Sequence, residues 1–199
     1  MKYFVLIGIT LFFSACVTTK VPAKSEYRIN TELTNFTSDS SMCKDKTLKV
    51  AQAFSDKNLM VNDMMYTQGN YKQFFYASSQ WSQTPNDAIT TKFLSLMRNA
   101  KLFQNVQIAG SRSKNDFILE VHIEDFMQYF NADITSSFAN AKIHLSLIDA
   151  TNREIYASES FSAKIDVNTL DAQGGVEGLS SALTKILNDS GTWIAKVCK

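Results

Sequence analysis

Two stretches of alternating residues constrain the fold more than any other feature of this chain. Phe117, Leu119, Val121 and Ile123 recur at every second position, and so do Ala141, Ile143, Leu145 and Leu147. Successive side chains of a strand point to opposite faces, so each segment has one face to bury and one to leave in water. A third extended segment, Glu154 to Val167, follows the turn Asp149-Ala150-Thr151-Asn152-Arg153, and the three make an antiparallel meander. Such a sheet needs a cover for its apolar face.

Two helical patterns supply that cover. Thr84-Pro85-Asn86-Asp87 outlines an N-cap with Pro at the first helical position and an acidic residue three places on, a capping box. The helix it opens runs to about Asn99 and gathers Ile89, Phe93, Leu96, Met97 and Ala100 on one face. The second helix spans Gly174 to Val197, with Val176, Leu179, Leu183, Ile186, Leu187, Ile194 and Val197 as its stripe and Gly191 as a weak point. Earlier in the chain, Glu26 to Ile29 and a segment with Leu48, Val50 and Phe54 read as strands. Leu59 to Tyr66 and Tyr71 to Tyr76 read as a hairpin about Thr67-Gln68-Gly69-Asn70. The expected fold is α+β: a two-layer sandwich, its sheet mixed or mostly antiparallel, with two main helices packed on one face.

The first sixteen residues fix where this domain works. Lys2, an apolar run from Tyr3 to Phe13 and then Ser14-Ala15-Cys16 form a lipoprotein signal peptide, residues 1–15. The apolar run is shorter than the ~20 residues a membrane span needs. Phe13 is too bulky for an ordinary secretory cut, which wants a small residue there. On this reading Cys16 carries the lipid, residues 16–25 are a tether of at most about 30 Å, and residues 26–199 form one periplasmic domain. A diacylglyceryl group plus an N-acyl chain anchors essentially permanently, because a second chain removes the reversibility of a single one. Val17 stands where an Asp would retain some lipoproteins at the inner membrane, so the expected site is the inner leaflet of the outer membrane.

Removing the leader with Lys2 leaves 19 basic residues against 19 acidic, which gives no electrostatic footprint for nucleic acid. Cys43 and Cys198 are then an even pair in an oxidising compartment. A disulfide is expected, with two unrelated thiols as the alternative. No Walker phosphate loop and no G-x-S-x-G occur, and no enzyme activity, cofactor or metal is expected. His122 and His144 sit on the polar sides of their strands, near Glu120, Glu124 and Asp125. A cross-strand histidine pair can bind metal or act as a base, but solvated strand residues explain all five as well. Phe126-Met127-Gln128-Tyr129-Phe130, with Ile134 and Phe138, falls between the alternating segments. Either the strands run farther, or Phe126, Met127, Tyr129, Phe130 and Phe138 meet a partner or lipid.

The order of signals resembles the auxiliary lipoproteins of ABC-type intermembrane lipid transport, the PqiC-like or YmbA-like lipoproteins. The carrying residues are Cys16; Tyr27-Arg28; Trp81 with Pro85 four residues later and the helix behind it; Leu102-Phe103-Gln104-Asn105-Val106; Asn115 to Val121; and Leu145-Ser146-Leu147-Ile148-Asp149. Trp81, Pro85, Phe103 and Val106 read as structural residues, with the Trp81 indole over the helix start and Phe103 and Val106 pinning the next strand. The resemblance implies a non-enzymatic, membrane-anchored accessory that docks with an MCE protein and ABC transporter subunits, with lipid contact and homo-oligomer formation compatible. An envelope structural or assembly lipoprotein that binds only protein partners is the competing reading.

Overall fold

The computed structural model describes residues 23–34 and 42–199; the leader, Cys16 and most of the tether lie outside the described residues. The chain runs β1 (Ser25–Tyr27), β2 (Thr47–Val50), β3 (Phe54–Ser55), a 3-10 turn (Lys57–Leu59), β4 (Asp63–Gln68), β5 (Lys72–Trp81) and α1 (Pro85–Ala100). It continues through β6 (Asn105–Ile108), β7 (Phe117–Phe130), β8 (Ser137–Asp149), β9 (Ile155–Asp166) and α2 (Ala172–Val197). All nine strands form one mixed sheet and both helices pack on its apolar face, an α+β sandwich as the alternation and the helical stripes require.

β7 is the spine of the sheet. On one edge β8 and then β9 continue it as the antiparallel meander. On the other edge three short strands line up end to end, each parallel to β7: β2 opposite Phe117, β3 opposite His122 and β4 opposite Gln128. β6 lies outside β2, while β5 and then β1 lie outside β4. The expected second strand is therefore broken. Between β2 and β3 the Ala53 N–H leaves the ladder and donates to the Thr90 hydroxyl of α1 at 2.8 Å. β6 was not expected: Asn105-Val106-Gln107-Ile108 does alternate polar and apolar, but over four residues that alternation rests on two apolar positions alone.

The alternation in β7 changes phase halfway. Ile123 faces Ile143 and Asp125 faces Lys142, so Glu124 is an extra residue without a partner, a β-bulge. Before it, Leu119, Val121 and Ile123 point inwards; after it, Phe126, Gln128 and Phe130 do. One inserted residue flips every later side chain to the other face. The aromatic run is thus strand rather than loop, and its members divide. Phe126 and Phe130, expected as contact residues, are 3% and 6% exposed and belong inside. Met127, Tyr129 and Phe138 face outwards, half-buried.

The core joins Leu119, Val121, Ile143 and Leu145 to Phe93 and Leu96 of α1 and to Leu183 and Leu187 of α2. Each such side chain contributes about 1.5–3 kcal/mol by leaving water. α2 sits close to the sheet: a Cβ on Gly178 would stand 2.8 Å from Ala139 Cβ, and one on Gly175 would overlap the side-chain amide oxygen Oε1 of Gln128. Pro85 opens α1, but the expected capping box is not made. The Thr84 hydroxyl caps nothing, and the Asp87 carboxylate accepts from Gln52 instead.

An extended segment straps α2 lengthwise. The backbone N–H groups of Asn30, Glu32 and Thr34 donate to Ser180 Oγ, Thr184 Oγ1 and Asn188 Oδ1 at 3.2, 3.3 and 3.1 Å. Two extended residues advance about 6.7 Å and four helical residues about 6 Å, so every second strap residue meets the next turn. Past the strap, Cys43 is disulfide-bonded to Cys198 at the end of α2, 155 residues away.

Candidate functional site: the open face and aromatic end of the sheet

The face of β7, β8 and β9 turned away from the helices has no cover among the described residues. At its middle, His122 and His144 stand directly opposite each other across β7 and β8. The Phe54 ring stacks on His122 at 4.5 Å, and His144 Nδ1 lies 2.8 Å from Ser160 Oγ. No group of three His, Cys, Asp or Glu side chains able to hold a metal occurs among the described residues. The His144 to Ser160 contact lies on an open strand face. Nucleophilic catalysis needs, besides that contact, a third group orienting the base and donors aimed at a developing charge. Beside the histidines Lys142 pairs with Glu124 at 2.7 Å, and this hydrogen bond holds the Glu124 carboxyl below the ordinary range.

Farther along, the same face turns aromatic. The Tyr129 ring lies flat on Phe138, centroids 5.2 Å apart, and Lys164 Nζ sits 3.7 Å over Phe138. The Tyr129 hydroxyl and the Asn140 amide both donate to Asp125 Oδ2 at 2.7 Å. Burial first, and the Asp125 hydrogen bond second, push the Tyr129 hydroxyl well above the usual tyrosine range.

Two turns close this end of the molecule. The β4–β5 turn carries Gly69 at φ 60°, a left-handed conformation that glycine adopts without strain. Gly69 N–H donates to Phe130 O and Gln68 Nε2 to Ala132 O, tying this turn to the β7–β8 turn. A cleft of about 450 Å³ opens between them, lined by Tyr71, Tyr129, Phe130, Ala132 and Phe138. On the inner face Tyr66 contacts Phe74, Tyr76 and Phe130, with centroids 4.6 to 5.5 Å apart. The Tyr76 hydroxyl donates to Gln128 Oε1, and Gln128 Nε2 donates to Ser137 Oγ, which satisfies a glutamine that is 1% exposed. Yet Tyr71 is 96% exposed, Phe75 58% and Phe74 40%. The Phe74-Phe75 pair carried the signal that sequence reasoning passed over: adjacent strand residues face opposite ways, so two aromatics in a row place one on each side of the sheet.

A second groove, about 480 Å³, runs between the strap and α2 and is lined by Arg28, Glu32, Glu177, Ser180 and Thr184. Its charged walls suit water or a polar segment better than lipid. Trp81, expected over the helix start, is buried and meets Phe126 at 6.2 Å; Phe103 meets Phe117, the first residue of β7, at 6.4 Å edge to face. Val106 is buried in β6 opposite Leu48, and Pro85 is buried where α1 begins. Cys16 lies outside the described residues.

Solved structures share this arrangement. Protein XCC0632 from Xanthomonas campestris, of family DUF330, aligns with a TM-score of 0.77 at 13% identity, over 87% of this chain and 95% of its own. The chain has the fold of that DUF330 protein. An uncharacterized protein aligns with a TM-score of 0.64 at 12% identity, over 86% of this chain and 99% of its own. The hypothetical protein CT253 from Chlamydia trachomatis aligns at 0.50 and 7% identity, over 77% and 98%. At these identities the likeness is one of fold. No family model matches the sequence itself, and neither does any curated protein. No helix among the described residues is long and apolar enough to cross a membrane.

Proposed function

We propose that the protein is a lipid-anchored, non-enzymatic accessory of an ABC/MCE-type intermembrane lipid transport system, held at the inner leaflet of the outer membrane and facing the periplasm. The observation that carries the reading is Ser14-Ala15-Cys16 at the end of a short apolar run, followed by signals from Tyr27-Arg28 to Asp149 whose order resembles that of the transport lipoproteins. A chain so anchored works on what comes to it. The uncovered face of β7, β8 and β9, with Tyr129, Phe138, His122 and His144 upon it, is a surface fit for a protein partner, here the MCE component.

Affinity purification of the lipidated protein from crosslinked cells, with mass spectrometry of proteins and lipids, tests this. Recovery of an MCE protein with its permease and ATPase supports it. Recovery of an envelope assembly machine without them overturns the transport role in favour of a structural lipoprotein.

A further inference from the structure

The exposed aromatics of the β4–β5 hairpin have a direction, and the course of β1 supplies it. β1 runs parallel to β5, with Ser25 beside Ser79 and Tyr27 beside Trp81. Traced backwards from Ser25, the chain therefore heads towards Lys72 and the hairpin turn. From Ser79 to Lys72 is seven residues, about 23 Å along a strand. From Ser25 back to Cys16 is nine residues, a reach of at most about 30 Å. The anchor point thus lies within reach of the hairpin tip, on the side where Tyr71, Phe74 and Phe75 are exposed. The opposite end of the sheet exposes Ile155 and Tyr156 at 64% and 46%, but the described chain enters from the other side.

We propose that the tip of the β4–β5 hairpin rests in the headgroup region of the membrane that holds Cys16, with Tyr71, Phe74 and Phe75 as its interfacial side chains. The proposal rests on the lipid-anchor reading above and adds an orientation to it. Phe74 shares a face with Tyr66, Phe75 lies opposite Met65 on the other face, and Tyr71 occupies the turn between the strands. A protein partner covers one face of a hairpin; aromatics on both faces and at the tip suit surroundings that enclose it from every side. All three lie within about 13 Å of chain, comparable to the ~5–10 Å that interfacial segments bury, and Tyr, Phe and a flanking Lys72 are the residue types that settle at this depth. Held so, β7 rises from the membrane with its Phe130 end lowest, and the His122 and His144 region of the open face is lifted into the periplasm.

The test places an indole at each end of the full-length lipidated protein, as Tyr71→Trp and Tyr156→Trp, in vesicles of phosphatidylethanolamine and phosphatidylglycerol with brominated acyl chains. Trp81 and Trp193 give the same background in both. The indole at position 71 is expected to shift its emission to the blue and to be quenched about twofold more than the one at position 156. Equal quenching at the two positions, in a protein that floats with the vesicles and loses flotation on Cys16→Ser, overturns the orientation and leaves the anchor standing. A parent protein that does not float overturns both.

Discussion

The helix-covered body and the aromatic end of this molecule are built from the same kinds of residue, put to opposite uses. Along α2, Leu179, Leu183, Ile186, Leu187 and Ile194 are all buried, and several polar groups hold that packing in place. The strap donates its N–H groups to α2, Gln128 is satisfied on both sides of its amide, and Cys43 is bonded to Cys198. At the β4–β5 tip Tyr71 and Phe75 are mostly exposed, and Phe74, stacked on Tyr66 on one side, is still 40% exposed. Stability is concentrated in the first region, which leaves the second free to be shaped by what it touches.

The difference is broken most severely at the disulfide. Cys43→Ser with Cys198→Ser releases a loop of 155 residues, and the chain-entropy argument gives a loss of about 5 kcal/mol at most, with about 2–5 typical of native bridges. Equilibrium denaturation of the oxidised and doubly substituted proteins measures it. Equal midpoints would mean that the strap and α2 hold together without the bond.

Next comes the contact between α2 and the sheet. Gly178→Val places a branched side chain where even a Cβ meets Ala139 at 2.8 Å, and overpacking of this kind costs about 1–3 kcal/mol. The same substitution at Gly110, which has nothing within 4 Å of its would-be Cβ, is expected to change stability by under about 0.5 kcal/mol. Thermal melts of the two variants give the contrast directly. A similar loss at both positions would place the effect in the backbone rather than in the packing.

How much of this was legible beforehand follows the strength of each local signal. The strands around Leu119 and Leu145 and the two helices are written in period, since one face of each must leave water. The bulge at Glu124 is not, because an inserted residue announces itself only through its partner strand, and it sends Phe126 and Phe130 inwards while Tyr129 stays out. The capping box had the right letters and the wrong partners: Asp87 found Gln52, a residue 35 positions away that no local pattern reveals. Of the candidate contact surface, Tyr129 and Phe138 were named from sequence. Tyr71, Phe74 and Phe75 were not, because their exposure depends on where the sheet ends and which strand lies beside it.

A smaller effect tests the start of α2. Asp171 accepts from Gly174 N–H at 2.9 Å and from the Thr169 hydroxyl at 2.8 Å, and the first of these holds its carboxyl below the ordinary aspartate value of 3.8. A group lowered in the folded state stabilises it above the unfolded pKa and loses that contribution as pH falls through the folded one. Asp171→Ala is therefore expected to cost about 1 kcal/mol at neutral pH, as for other caps. It should also flatten the fall in melting temperature below about pH 4. A variant that melts in parallel with the parent at every pH would remove Asp171 from the account.

The smallest expected effect on stability is at the tip, and it is the most discriminating. Tyr71→Ser and Phe75→Ser remove side chains that are 96% and 58% exposed, so the folded state loses little apolar burial and the melt should move by less than about 0.5 kcal/mol. Phe93→Ala in the core of α1, fully buried, should cost about 3–5 kcal/mol by the same assay. If the tip variants unfold as readily as the core variant, the aromatics are part of the body, and the division between a region that holds the fold and a region that meets its surroundings is wrong. If they melt with the parent, those side chains contribute little to folding, and any loss they cause in cells reports on contacts the folded protein makes with something else.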